Sequence, residues 1–223
     1  VSPTDPDTLL VASGDFSSSF AVLRSRDGGA HWAEIASLSS LLPDTIDIDP
    51  RTPTTLYART LRGGLLRSED DGETWTTLDW PESSSFFFVQ AWKIDPGSPE
   101  TLWLAGQAYQ QDRSMEGLWR SDDRGAHWTL VYSDLPVRDI AVDSRAGVVL
   151  GVPKVGALRS GNRGLDWSPA QQGLVAHLVA EMAVAEDGTV WAGTVGDPSP
   201  FLYGQYNSLL RSRDGGATWE DLR

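Results

Sequence analysis

Short apolar runs alternate with polar turns along the whole chain, the pattern of antiparallel strands joined by tight connections. Representative runs are Ile46-Asp47-Ile48, Leu65-Leu66-Arg67, Thr129-Leu130-Val131 and Met182-Ala183-Val184. Many end in Arg-Ser and enter one recurring turn. It appears at Ser25 to Trp32 (SRDGGAHW) and returns at Ser68 to Trp75, Ser121 to Trp128 and Ser212 to Trp219. A fifth, altered copy runs from Ser160 to Trp167 (SGNRGLDW), with Asn162 where the others carry aspartate. A second recurring turn has the form D-P-x-T-L, at Asp5-Pro6, Asp49-Pro50 and Asp95-Pro96, with weaker echoes near Asp143 and Asp187. One unit therefore reads strand, Asp-Pro turn, strand, loop, strand, S-x-D-x-G-x-x-W turn, strand. Four strands in roughly forty to fifty residues is the size of one blade of a propeller.

The conserved letters of the long turn have physical reasons. Asp27, Asp70, Asp123, Asn162 and Asp214 can fold their side chains back onto backbone N–H groups. Gly29, Gly72, Gly125, Gly164 and Gly216 supply a positive φ that a residue with a Cβ resists. Trp32, Trp75, Trp128, Trp167 and Trp219 are large enough to cap a sheet edge and fill the wedge beside it. Ser25, Ser68, Ser121, Ser160 and Ser212 open each copy. A catalytic group is needed once, so a motif present in every unit is read as architecture.

With these residues in hand, the turn is identified as the Asp-box, or BNR repeat. It resembles the repeat of sialidases, sortilin-type receptors, xyloglucan-cleaving glycosidases and photosystem II assembly-factor-like proteins. The resemblance covers the whole chain and implies an all-β fold, a β-propeller of four-stranded antiparallel blades with about five Asp-box blades. One domain over residues 1–223 is expected. The first blade is expected to lack its innermost strand, so the chain reads as part of a larger ring, or as a ring whose first blade a partner segment completes. For function the resemblance is broad, because the repeat occurs in enzymes and in binding proteins.

Composition narrows the classes. A net charge of −13 and a pI near 4.5 argue against a nucleic-acid partner, which selects for a basic footprint. The chain has no cysteine, which removes disulfides and thiol chemistry. No apolar run is long enough for a transmembrane helix. His31, His127 and His177 show no metal-binding spacing, so neither a metal nor a cofactor is expected. His31 and His127 share one box position with Thr74, Asp166 and Thr218, which reads as freely substituted.

The box-to-box intervals of 43, 53, 39 and 52 residues locate the variable segments. Inserts fall at Asp15 to Phe20, Pro81 to Phe88, Gln107 to Glu116 and Gly196 to Asn207, all in connections between strands 2 and 3 or strands 4 and 1. These lie on the face opposite the boxes, and function usually rides on variable loops over a rigid scaffold. Tyr109, Arg113, Phe201, Tyr203 and Tyr206 are the candidate ligand contacts there. The expected activity is non-enzymatic binding of a protein partner, outside the cytoplasm as in most proteins of this resemblance. The alternatives are a glycan-binding module and a glycoside hydrolase, which needs paired carboxyl groups or a tyrosine with an arginine clamp. Arg59, Arg62, Arg113 and Arg138 are possible clamps, and no Arg-Ile-Pro signature precedes the first box. Asp47 and Glu181 add acid to first strands, where solvation explains them equally well.

Overall fold

The computed structural model describes residues 2, 4–14, 20–61, 63–79, 86–110, 113–133, 136–144, 147–174, 179–185, 187–194 and 208–222. Its strands form five antiparallel sheets, each built from consecutive strands. The first holds β1 (Leu9–Gly14), β2 (Phe20–Ser25) and β3 (Ala33–Glu34). The second holds β4 (Pro43–Ile48), β5 (Leu56–Thr60), β6 (Leu65–Ser68) and β7 (Thr76–Thr77). The third holds β8 (Phe86–Ile94), β9 (Leu102–Gln110), β10 (Arg113–Ser121) and β11 (Thr129–Ser133). The fourth holds β12 (Asp139–Asp143), β13 (Gly147–Val152), β14 (Gly156–Ser160) and β15 (Ser168–Pro169). The fifth holds β16 (Val179–Val184), β17 (Val190–Thr194), β18 (Leu209–Ser212) and β19 (Glu220–Asp221). The fold is thus all-β, of the β-propeller class, with each sheet a blade. By packing density the chain divides into two units, Val1–Trp80 with Phe87–Val89 and Pro81–Phe86 with Gln90–Arg223.

Within each unit, neighbouring sheets bury apolar faces against each other. In the first unit Val22, Ile35, Leu38, Leu56, Ala58 and Leu66 form the core. In the second, Trp103, Leu118, Ile140, Leu150 and Val152 form one cluster, and Val149, Val179, Met182, Leu210 and Trp219 another. Trp92, Trp103 and Trp119 are buried, so the tryptophan content is architectural beyond the box positions too. An insert that periodicity alone does not flag, the 3₁₀ helix Ala36–Leu41, joins the first sheet to the second and buries Leu38.

The sheets place the Asp-Pro turns and the boxes at one end. In the first three blades the box backbone hydrogen-bonds the Asp-Pro turn of its own sheet: Gly28 N to Asp7 O at 2.9 Å, Asp71 N to Thr54 O at 2.8 Å, Arg124 N to Glu100 O at 2.8 Å. Hydrogen bonding also resets the repeat alignment at the start of the chain. Ser2 N donates to Thr8 O, as Asp49 N donates to Thr55 O and Asp95 N to Thr101 O. Ser2-Pro3 is therefore the counterpart of Asp49-Pro50 and Asp95-Pro96, and Asp5 occupies the position of Thr52 and Ser98. The two D-P dipeptides had looked equivalent because the turn carries a second proline three residues on.

The arginine ahead of the box has a task as well in the first and third blades. Arg24 Nη1 reaches Asp71 O at 2.7 Å in the next sheet, and Arg120 Nη1 reaches Arg163 O at 2.5 Å. Both carbonyls belong to the third residue after a box serine, so each contact ties one blade's third strand to the next blade's turn.

Candidate functional site

The box end of each sheet is built in the same way in all five. The serine hydroxyl is the hub. It accepts the glycine N–H at 2.8 Å in every copy and donates to Oδ1 of Asp27, Asp70, Asp123, Asn162 or Asp214 at 2.7–3.0 Å. That Oδ1 also accepts the N–H four residues on at 2.8–2.9 Å. All five serines are 1% exposed. The backbone needs two consecutive positive φ angles. The first is held by Gly28, Asp71, Arg124, Arg163 and Gly215 at 60–68°, the second by the box glycine at 83–96°. Glycine is needed at the second for space as well: a Cβ on Gly216 would lie 2.8 Å from Val149 Cγ2 in the preceding sheet.

The position read as freely substituted is constrained. Oδ2 of the box aspartate lies 2.6 Å from His31 Nδ1, Thr74 Oγ1, His127 Nδ1 and Thr218 Oγ1. In the altered copy the polarity is reversed, with Asn162 Nδ2 donating to Asp166 Oδ2 at 2.9 Å. Wherever the box residue is a carboxylate its partner can donate, and where it is an amide the partner is a carboxylate. These contacts hold Asp70 at about 2, the Thr74 hydroxyl contributing most. Asp123 and Asp214 also sit at about 2: burial opposes ionisation, and hydrogen bonds from His127 and Thr218 outweigh it. Asp27 is lowered by the His31 amide and ring. Every box carboxylate is thus spent on its own turn. The tryptophans differ in depth, from Trp219, 6% exposed with its indole N–H on Ala170 O, to Trp32, 41% exposed and bonded only to Gly29 O. All five were expected to cap a sheet edge and fill the wedge beside it; their depth differs with what lies beside each.

The opposite end of the third sheet carries the variable element. Gln107 to Glu116, expected as a loop insert, continues β9 and β10 as an extended hairpin. β11 stops at Ser133 opposite Gly117, while β9 and β10 pair on to Arg113 opposite Gln110. Gln107, Tyr109, Ser114 and Glu116 share one side by strand alternation, and Ala108 and Met115 the other. Tyr109 is 38% exposed and its hydroxyl donates to Gln107 Oε1 at 2.5 Å. Arg113 opens β10. Phe201, Tyr203 and Tyr206 lie outside the described residues, as do the inserts 15–19, 81–85 and 196–207 and the possible clamp Arg62. The phenylalanine triplet is part of β8, with Phe87 buried and Phe88 exposed. Arg59 is engaged by Asp44 through Nε at 3.0 Å and Nη2 at 2.7 Å, an ion pair within its own blade.

A third constellation involves an acid the sequence reading passed over. Asp139, at the head of β12, accepts Ile140 N at 2.8 Å and Met182 N at 2.5 Å, joining β12 to β16. Burial pushes its carboxyl up, against the two amides and Lys93, and Glu181 adds to the rise. The signal available in the sequence was an acid opening an otherwise apolar strand, Asp139-Ile140-Ala141-Val142. Among the described residues no cluster of three or more His, Cys, Asp or Glu could hold a metal ion. No helix among them is long and apolar enough to cross a membrane.

Several known proteins are similar to this chain. Xyloglucanase Xgh74A of Acetivibrio thermocellus is 27% identical over 198 residues, and a Paenibacillus xyloglucanase 29% over 201 residues. Each alignment covers 74% of this chain and 24% or 19% of the relative, so the chain spans about a quarter of their length or less. The GH74 xyloglucanase of Xanthomonas campestris superposes with a TM-score of 0.69 at 19% identity, over 100% of this chain and 37% of that one. YCF48 bound to D1 peptide gives 0.53 at 15% identity, over 100% and 84%. The extracellular domain of a one-component system protein of B. thetaiotaomicron gives 0.60 at 15% identity, over 84% and 25%. Residues 21–145, more than half of the chain, match the Sortilin-Vps10 model described as sortilin, neurotensin receptor 3, and the chain belongs to that family.

Proposed function

We propose that this chain is a non-enzymatic β-propeller module that binds a protein partner through the strand 2–3 and strand 4–1 connections, and that it works outside the cytoplasm. The observation that carries this reading is the β9–β10 hairpin, which projects beyond β11 and exposes Tyr109 and Met115 on its two sides. A strand-paired hairpin bearing an aromatic and a flexible apolar side chain suits protein recognition, since backbone already held in a ladder loses little further freedom on contact. At the box end, the aspartates common to the repeats are engaged by their own turns. A structural neighbour is YCF48 bound to a peptide, another is an extracellular domain, and the matched family is described as a receptor. A net charge of −13 favours a basic or neutral partner surface.

Glycoside hydrolysis is the second reading, favoured by the xyloglucanase relatives and by Asp139, whose raised carboxyl lies near Glu181. Both Asp139 oxygens accept backbone N–H groups, which suits a bridging role between strands better than proton delivery. A photo-crosslinking residue at position 109, compared with one at Arg26 on the box end, should capture partner protein only at 109. Xyloglucan incubated with the protein should release no reducing sugar. Crosslinks only at position 26, or clear xyloglucan turnover, would reverse the assignment.

A further inference from the structure

The third sheet is notched along its outer edge. β8, β9 and β10 are each nine residues long, and β11 is five. In the other sheets the third strands β2, β6, β14 and β18 have four to six residues. β10 therefore extends by Arg113–Glu116 beyond Gly117, where β11 ends opposite it at Ser133. Among the described residues no strand pairs with that stretch on the side away from β9. Native sheets keep bare edges short, because unpaired N–H and C=O groups invite another strand.

Strand alternation says which groups are bare. In the other four blades the fourth strand or the residue after it donates to one carbonyl of the third strand: Ile35 N to Val22 O, Leu78 N to Leu65 O, Ala170 N to Ala157 O and Leu222 N to Leu209 O, at 2.8–3.1 Å. Counting back from the box serine, their counterpart in β10 is Leu118. β9 and β10 pair without a break from Ser121 to Arg113, so the alternation carries on. Glu116 and Ser114 thus turn their N–H and C=O outward, and Met115 turns its own toward β9. Side chains divide along the same stretch. Ser114 and Glu116 stand on the side of Gln107 and Tyr109, and the exposed Met115 on the side of Ala108. Among the described residues no cation is paired with Glu116.

Resting on the hairpin as the binding element, we propose that the outer edge of β10 at Arg113–Glu116 docks an extended segment of a partner polypeptide in which basic and apolar residues alternate. The segment would add antiparallel to β10, in line with β11. Main-chain bonds to Ser114 and Glu116 fix its register. Directly opposite residues of an antiparallel ladder share a side, so the residues facing Glu116 and Ser114 stand on the Tyr109 side and the one between them beside Met115. A basic side chain there meets the Glu116 carboxylate, in keeping with a chain of net charge −13. An apolar one covers Met115. Ser114, opposite Tyr109, is small enough to let a long basic side chain reach across toward that ring.

A capped KVKVKV peptide is the probe, with amide hydrogen exchange of the intact chain as the readout and EVEVEV as the charge-reversed control. At saturating KVKVKV, exchange at Ser114 and Glu116 should slow by about tenfold or more, while Met115, already turned toward β9, changes little. EVEVEV at the same concentration should leave all three unchanged, and Glu116→Lys should invert the preference between the two peptides. Methylating the lysine nitrogens should weaken KVKVKV by about tenfold or more, because the residue opposite Glu116 directs its N–H at β10. Methylating the valine nitrogens should leave binding within about twofold, since those groups point away. Unchanged exchange at Ser114 and Glu116, or equal effects of the two peptides or of the two methylation patterns, would overturn the docking edge. Slowing that appears without peptide and grows with protein concentration would overturn it too, by giving the edge to a second copy of the chain. Partner capture at position 109 alongside any of these results leaves the hairpin standing as the binding element, whereas capture only at position 26 removes the hairpin itself.

Discussion

Replacing Asn162 by aspartate tests whether the box turn is governed by the pairing of donor and acceptor four residues apart. In the fourth blade Asn162 Nδ2 donates to Asp166 Oδ2 at 2.9 Å, while Asn162 Oδ1 accepts from Ser160 and from Asp166 N. Asn162→Asp keeps the last two bonds and sets two carboxylate oxygens against each other. Both side chains are exposed, so the repulsion is that of two charges about 3 Å apart in a water-like dielectric, about 1.4 kcal/mol. Losing the hydrogen bond adds about 1–1.5 kcal/mol, the upper part of the range for an ordinary bond since both groups are exposed, for a total of about 2–3 kcal/mol. In a chain of this size that should lower Tm by roughly 4–12 °C at neutral pH. The loss should shrink on acidification, as one carboxyl takes up a proton, and at high salt. Asn162→Asp with Asp166→Thr recreates the Asp70–Thr74 pair, whose Oδ2 and Oγ1 are 2.6 Å apart, and should recover most of the loss. Thermal melts of the two single variants and the double close the cycle. A single Asn162→Asp variant as stable as the parent would refute the pairing rule, and so would a double variant no better than it.

Trp219→Ala should cost about 3–5 kcal/mol, as for other large buried aromatics, whereas Trp32→Ala, at a half-exposed site, should cost about 1–2 kcal/mol; equal losses in denaturant titrations would show that depth does not set the contribution. Gly147→Ala should destabilise by more than about 2 kcal/mol, since its φ is +92° and a Cβ would lie 2.1 Å from Ser160 O, while Gly161→Ala, with nothing within 4 Å, should be near neutral in the same assay. For pH, the folded values of Asp70, Asp123 and Asp214 lie at about 2, below the ordinary 3.8. Their contribution is therefore present above the unfolded value and lost as pH falls through about 2, so Tm should drop steeply from pH 4 to pH 2. Asp139 works in the opposite sense, its burial cost being relieved as it protonates, and a Tm that rises from pH 4 to pH 2 would mean that it outweighs the boxes. Tyr109→Ala should leave Tm within about 2 °C of the parent, because the side chain is 38% exposed at the end of its hairpin; a larger shift would make the hairpin part of the core.

Repetition made the architecture legible before any coordinates. Four strands, two fixed turns and a box aspartate or asparagine per unit follow from local chemistry, because a turn's backbone must be satisfied by residues close in sequence. The role of the serine was legible in principle, since Ser25, Ser68, Ser121, Ser160 and Ser212 never vary, yet only the coordinates show its hydroxyl accepting from glycine and donating to Oδ1. What the sequence could not decide depends on neighbours distant along the chain. Trp32 and Trp219 occupy one motif position, and their depths differ because different sheets lie beside them. Gln107 to Glu116 reads as a polar loop because its residues lack strand propensity, but pairing with an already ordered β9 extends the ladder through it. Asp139 drew no reading from the sequence, because its partner, Met182 N, lies 43 residues away. Local hydrogen bonding, then, is written residue by residue, while burial and strand length are settled by the tertiary partner, because the free energy that decides them is spread over surfaces no short segment contains.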